Sequence, residues 1–185
     1  AIILSARSGR AALRHRLEAL GFHIEGQAFE DLYNAFLDLA DKKKEVYDED
    51  LESLVGEHNR NQTATYTLKS VQISCGQPLI PTATVTLADS EDREFVACAT
   101  GTGPVDALYK AVNEIVDIEN DLTEFAVQSV TRGIDALGEV TIRVTDSDGM
   151  VFSGRGADGD IIVSSAKAYL NALNRLISHR QEKAK

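Results

Sequence analysis

From Ala64 onward the 185-residue sequence runs through one pattern twice, and this doubling constrains the fold more than any other feature. In the first pass Tyr66, Leu68, Val71 and Ile73 are spaced as in a strand, with a slip of phase at Lys69-Ser70. Ala83, Val85 and Leu87 give a second strand. Phe95, Ala97 and Ala99, beyond the turn Asp89-Ser90-Glu91-Asp92, give a third. Gly101-Thr102-Gly103-Pro104 then breaks the sheet and opens a helix through Ala107, Leu108, Ala111, Val112, Ile115 and Val116, with Pro104 suited to its first turn. In the second pass the strands are marked by Phe125, Val127 and Val130, by Val140, Ile142 and Val144, and by Val151-Phe152 after the turn Asp146-Ser147-Asp148-Gly149. Gly154-Arg155-Gly156 is read as the counterpart of the first glycine pair, leading into a helix through Ile161, Ile162, Ala166, Tyr169, Leu170, Leu173 and Leu176. Two βββα repeats, at about 64–118 and 122–177, predict a pseudo-symmetric α+β domain over residues 62–185. The polar tail from Ser178 to Lys183 is expected to fray.

Residues 1–61 read differently, as helical linker subdomains. Ser8 is placed as the N-cap of a helix through Ala11, Leu13, Leu17 and Leu20, stopped by Gly21. A second helix, from about Gln27 to Lys43, carries Phe29, Leu32, Tyr33, Phe36, Leu37 and Ala40 at i, i+3, i+4 spacing. Asp48 begins a third with Leu51, Leu54 and Val55. The polar stretch from Gly56 to Gln62 has no apolar period and is the expected boundary. An Ala start and a sole Met at position 150 read as a fragment of a longer protein.

Charge narrows the partners. With 29 Asp and Glu against 19 Lys and Arg, the net charge of −10 repels polyanions, so nucleic acid and anionic membranes are poor partners. A double-stranded RNA binder, which can share a βββα order, needs a basic helix face that this balance opposes. No apolar run approaches the ~20 residues that span a bilayer. Cys75 and Cys98 form no metal pattern and are expected as reduced, buried strand residues in a cytoplasmic protein. None of His15, His23, His58 and His179 stands in a metal-ligand spacing. Lys42-Lys43-Lys44 precedes Glu45, Asp48, Glu49 and Asp50, which makes it a self-neutralising surface and not a phosphate patch. No catalytic constellation is present, and no cofactor is expected in this part of the protein.

The glycine loops point to a ligand. A strand that turns into a helix exposes backbone N–H groups at the positive helix pole, which suits a carboxylate. Asp106 follows the first loop, and Asp158 and Asp160 the second, where an acidic side chain could pair an ammonium group. Together these features suit a free amino acid. Ordinary turn chemistry, with Asp complementing the helix dipole, accounts for the same residues.

The run Gly154-Arg155-Gly156-Ala157-Asp158-Gly159-Asp160, continued by Ile161 to Asn174, resembles the C-terminal signature of the 2-isopropylmalate synthase family. Gly133-Ile134-Asp135-Ala136-Leu137-Gly138-Glu139-Val140 resembles that family's G-x-D-A-x-G-E-V segment, and Gly101-Thr102-Gly103-Pro104-Val105-Asp106-Ala107 its first-repeat motif. Leu39 to Leu51 is similar to the family's connector. The resemblance implies a leucine-binding, dimerising regulatory domain with its linker. The parent enzyme would condense acetyl-CoA with 2-oxoisovalerate in a barrel whose divalent metal this chain does not carry. Leucine is then expected where the two glycine-headed helices and the segment Gly133 to Val140 meet, with contacts from Val105, Asp106, Gly133, Ile134, Asp135, Ala136, Asp158 and Asp160. Where the family often has Lys-His before Ser-Gly-Arg, this chain has Ala6-Arg7, and no catalytic role passes to Arg7. Citramalate synthase, with isoleucine as effector, shares the architecture; a dimerisation module without ligand is the further alternative.

Overall fold

The computed structural model describes residues 4–5, 7–43, 45–58, 64–129 and 137–184, with the side chains at 57, 58 and 129 outside the description. The chain divides into two compact units, Ala1–Gln62 and Thr63–Lys185.

The first unit holds three helices, α1 (Arg10–Ala19), α2 (Gly26–Lys43) and α3 (Asp48–His58), and an isolated bridge pairs Leu4, ahead of α1, with Val46, between α2 and α3. Their apolar stripes close one core in which Leu13, Leu17, Phe29, Leu32, Phe36, Leu51 and Val55 are buried. Helix α1 is capped by Gly9, without a side-chain bond, instead of by Ser8. The Ser8 hydroxyl is engaged upstream, accepting the Ser5 N–H at 3.0 Å. Arg16 grips Asp48 with both guanidinium arms. Lys43 pairs with Asp50 at 2.6 Å, a local neutralisation of the lysine run; Lys44 lies outside the described residues.

The second unit holds two antiparallel sheets, ordered β1-β2-β3 and β4-β5-β6. Strands β1 (Tyr66–Ser74), β2 (Thr82–Asp89) and β3 (Glu94–Thr100) precede α4 (Pro104–Val116). Strands β4 (Asn120–Ser129), β5 (Gly138–Asp146) and β6 (Val151–Asp158) precede α5 (Ile161–Lys183). This is the α+β fold of two βββα repeats. Alternation puts Ala83, Val85 and Leu87 of β2, and Val140, Ile142 and Val144 of β5, into one core shared with both helices. The phase slip at Lys69 is a bulge between Leu68 and Ser70, and the second repeat carries its counterpart between Leu122 and Glu124. The tight turns match as well. Asp89 accepts the N–H groups of Glu91 and Arg93, and Asp146 those of Asp148 and Met150.

The glycine pairs, by contrast, are not counterparts. Gly101 lies between β3 and α4 and Gly103 is the N-cap of α4, whereas Gly154 and Gly156 lie inside β6, and α5 begins only after its N-cap Asp160. Register sets Gly154 opposite Ile142 and Gly156 opposite Val140, on the face that meets α5. A Cβ on Gly156 would stand 2.7 Å from both the Ala168 nitrogen and the Lys167 Cβ. These glycines bring helix and sheet into close contact and do not form an anion loop.

Two more expectations change. The tail does not fray before Lys183, and His179 packs its ring 5.6 Å from that of Phe152. Cys75 and Cys98 are exposed: Cys98 faces away from the helices, in register with Thr84, and Cys75 lies beyond the end of β1. Val130 lies outside the described residues.

Candidate functional site

The second helix start is built from three elements. Gly138, first residue of β5, is in register with Asp158, last residue of β6. Ser164 of α5 donates its hydroxyl to the Gly138 carbonyl at 2.8 Å, and Ile161 closes over the glycine, since a Cβ there would meet Ile161 Cδ1 at 3.0 Å. Leu137 and Ile161 leave apolar surface open here, 43% and 39% exposed. Asp160 caps α5 by accepting the Ile162 N–H at 2.8 Å, and Asp158 accepts the Asp160 N–H at 3.1 Å. Lys167 reaches back to Asp158 at 2.8 Å, and that ammonium holds the Asp158 carboxyl below the usual carboxylate range. The anionic partner of this helix pole is thus the chain's own pair of carboxylates.

The first helix start is built differently. Its N-cap, Gly103, offers no side chain, and Pro104 takes the first turn. Asp106 accepts from Lys110 at 2.9 Å, from the Thr102 N–H at 2.9 Å and from the Thr102 hydroxyl at 3.3 Å. The bond from Lys110, then that from Thr102, holds the Asp106 carboxyl below its ordinary value. Gly101 makes this turn possible, because a Cβ there would stand 2.6 Å from Asp106 Oδ2. Val105 is half-buried beside it.

The structure therefore brings Asp158 and Asp160 together beside Gly138, and Val105 and Asp106 together at the other helix. The bonds of Asp106 to Thr102 and Lys110 run within its own turn and helix. Gly133, Ile134, Asp135 and Ala136 lie outside the described residues. Among the described residues, no group of three or more His, Cys, Asp and Glu could hold a metal ion. The metal that the resemblance implies for the parent finds no ligand set in them. No helix of the described residues is long and apolar enough to cross a membrane.

Reading the sequence by motif missed the lysines that hold the two aspartates. Lys110, four residues after Asp106, was legible as a helical ion pair. Lys167 was not, because its pairing with Asp158 depends on how α5 lies along β6. Also missed was a polar cluster in which the Tyr169 hydroxyl donates between Asn113 at 3.0 Å and Asn120 at 2.8 Å, tying α4, α5 and β4 together.

Two βββα repeats around a common core, with an apolar opening beside ionised carboxylates, define the class, a pseudo-symmetric α+β domain. The chain belongs to the LeuA allosteric (dimerisation) domain family, whose model matches residues 45–177. It is 58% identical over 98% of its length to a 2-isopropylmalate synthase of Olsenella uli, covering 36% of that protein. Similar relatives with the same name occur in Trichodesmium erythraeum, 53% identical over 95% of the chain and 32% of the relative, and in Prochlorococcus marinus, 52% identical over 95% and 33%. The chain spans about a third of the length of these relatives.

Proposed function

We propose that this chain is the leucine-sensing, dimerising regulatory part of a cytoplasmic 2-isopropylmalate synthase, acting by feedback on a barrel that condenses acetyl-CoA with 2-oxoisovalerate. The match of the allosteric-domain family model across residues 45–177 carries the reading. The site's chemistry supports the ligand class. Asp106 and Asp158 are held in the ionised form, as an ammonium ligand requires, and each is already paired with a lysine that a ligand would displace or join. The apolar surface of Leu137 and Ile161 offers a wall for an aliphatic side chain, and Leu137 directly follows Gly133, Ile134, Asp135 and Ala136 in sequence. Selectivity then rests on that wall, because one branching carbon is worth only about 1–3 kcal/mol.

Isothermal calorimetry with leucine and with isoleucine tests the proposal. Leucine is expected to bind, to raise the melting temperature through linkage, and to do neither in Ala136→Phe, where the ring fills the space. Tighter binding of isoleucine would move the assignment to citramalate synthase. No heat and no thermal shift at millimolar concentration of either would leave only a dimerisation module.

A further inference from the structure

Strand β1 is an edge of the first sheet and β6 an edge of the second, and no ladder joins them. Both reach α5, and the groove that the three elements line has a volume of about 430 Å³. Ligand pockets commonly measure about 300–1,000 Å³. Leu68 of β1, Ala157 of β6 and Leu170 of α5 give this groove apolar walls. Gly156 adds no side chain, because α5 takes the space that a Cβ would need.

Among the described residues that line the groove, the only charged ones are Arg155 and Lys167, and both are cations. Arg155 pairs with Glu139, and Lys167 with Asp158 at 2.8 Å, yet neither carboxylate lines the groove. An ammonium group carries three donors, so the bond to Asp158 leaves Lys167 further hydrogens to offer.

The first repeat supplies a comparison at matched positions. With the N-caps Gly103 and Asp160 aligned, Lys110 falls on Lys167, Asn113 on Leu170, Glu114 on Asn171 and Asp117 on Asn174. Register opposite Thr84 and Thr141 matches Cys98 with Arg155. The corresponding groove of the first repeat keeps its lysine beside two acids, Glu114 and Asp117. The second has asparagines in place of those acids, a leucine in place of Asn113 and an arginine in place of the thiol. In a chain of net charge −10, this local reversal of sign suits an anion with an aliphatic body.

Other guests fit less well. An extended peptide would pair with the strand edges, but Asn174 already bonds the Tyr66 N–H and carbonyl, and Asn171 the Arg155 carbonyl. A free amino acid would bring an ammonium group to a lining that holds two cations and no acid.

We propose that the groove between β1, β6 and α5 is a second small-molecule site, which takes an aliphatic carboxylate without an amino group. Lys167 and Arg155 hold the carboxylate, and Leu68 and Leu170 receive the chain. The site is separate from that of the proposed function and does not depend on it.

The test uses isocaproate as the probe and isocaproamide as its uncharged counterpart, each titrated into the full chain by calorimetry and by proton–nitrogen correlation NMR. Isocaproate should bind at millimolar concentration and shift the amide signals of Leu68, Ala157, Leu170 and Asn171. Isocaproamide should bind at least about tenfold more weakly, since charge-assisted hydrogen bonds are the stronger kind. Lys167→Met should weaken isocaproate by a similar factor. Thr67→Trp, at an exposed position of the lining, should abolish binding by filling the groove. The signal map of the unsubstituted chain decides the site independently of how the variants fold. Saturating leucine should leave the affinity for isocaproate unchanged. No binding at millimolar concentration, equal affinity for acid and amide, signals shifted elsewhere, or displacement by leucine would each overturn the site. Failure of leucine itself to bind would remove the amino-acid reading and leave this one standing.

Discussion

A methyl group on Gly154 would lie against the Ala168 carbonyl oxygen and the Ala172 nitrogen of α5, well inside the approach of real Cβ atoms. Both are backbone atoms, so no rotamer change relieves the clash; helix and strand must separate. Overpacking of this kind costs about 1–3 kcal/mol. Gly159, two residues before α5, has nothing within 4 Å of the corresponding point. Gly154→Ala should therefore lower the unfolding free energy by about 2 kcal/mol, and Gly159→Ala by less than about 0.5 kcal/mol. Urea titration of the two variants measures the contrast, and equal losses would show that the helix does not bear on Gly154. The sequence misled at this residue for a definite reason. Ser153-Gly154-Arg155-Gly156 has no apolar side chain to mark a strand, so the glycines read as a loop. A glycine within a strand signals close backbone approach, but only once the strand is known to continue.

Among the elements, α5 is the one that joins the repeats. It packs on β5 and β6 of its own repeat and on β1 of the other. Two asparagines one turn apart satisfy backbone groups on one edge strand of each sheet: Asn174 bonds Tyr66 of β1, and Asn171 donates to the Arg155 carbonyl of β6 at 2.7 Å. Asn174 is 9% exposed, so removing its amide strands a donor and an acceptor with poor access to water. Asn174→Ala should cost about 1–3 kcal/mol, and Asn171→Ala, at an exposed position, about 1 kcal/mol or less. Chemical denaturation of each variant checks the order, and the reverse order would place the edge of β1 in solvent. Most elements were legible where one face is buried and the other wet, because alternation and helical spacing then report directly. Even the bulge of β1 was visible as a slip from Leu68 to Val71. The end of α5 was not, since its last residues, from Ser178, are polar and His179 gains its packing only from Phe152 on another strand.

At the scale of the whole molecule, the acidic residues beside the helix starts were legible, while their lysine partners depended on tertiary placement for Asp158 and on helical spacing for Asp106. The molecule also has two separate cores, one of helices within Ala1–Gln62 and one of sheets and helices within Thr63–Lys185. Among the described residues, no buried one belongs to both. A unit of about 60 residues buries a smaller fraction of its surface than a larger one and is marginal, whereas one of more than about 100 sustains an independent core. Residues 63–185, expressed alone, should therefore fold and unfold cooperatively. Calorimetry of the whole chain should show two transitions, the lower belonging to the helical unit and the upper within a few degrees of that of the excised unit. Leucine should raise only the upper transition, since Val105, Asp106, Asp158 and Asp160 all lie within it. An excised unit without cooperative unfolding would show that its core requires residues of the helical unit. A ligand shift confined to the lower transition would remove these four residues from the site.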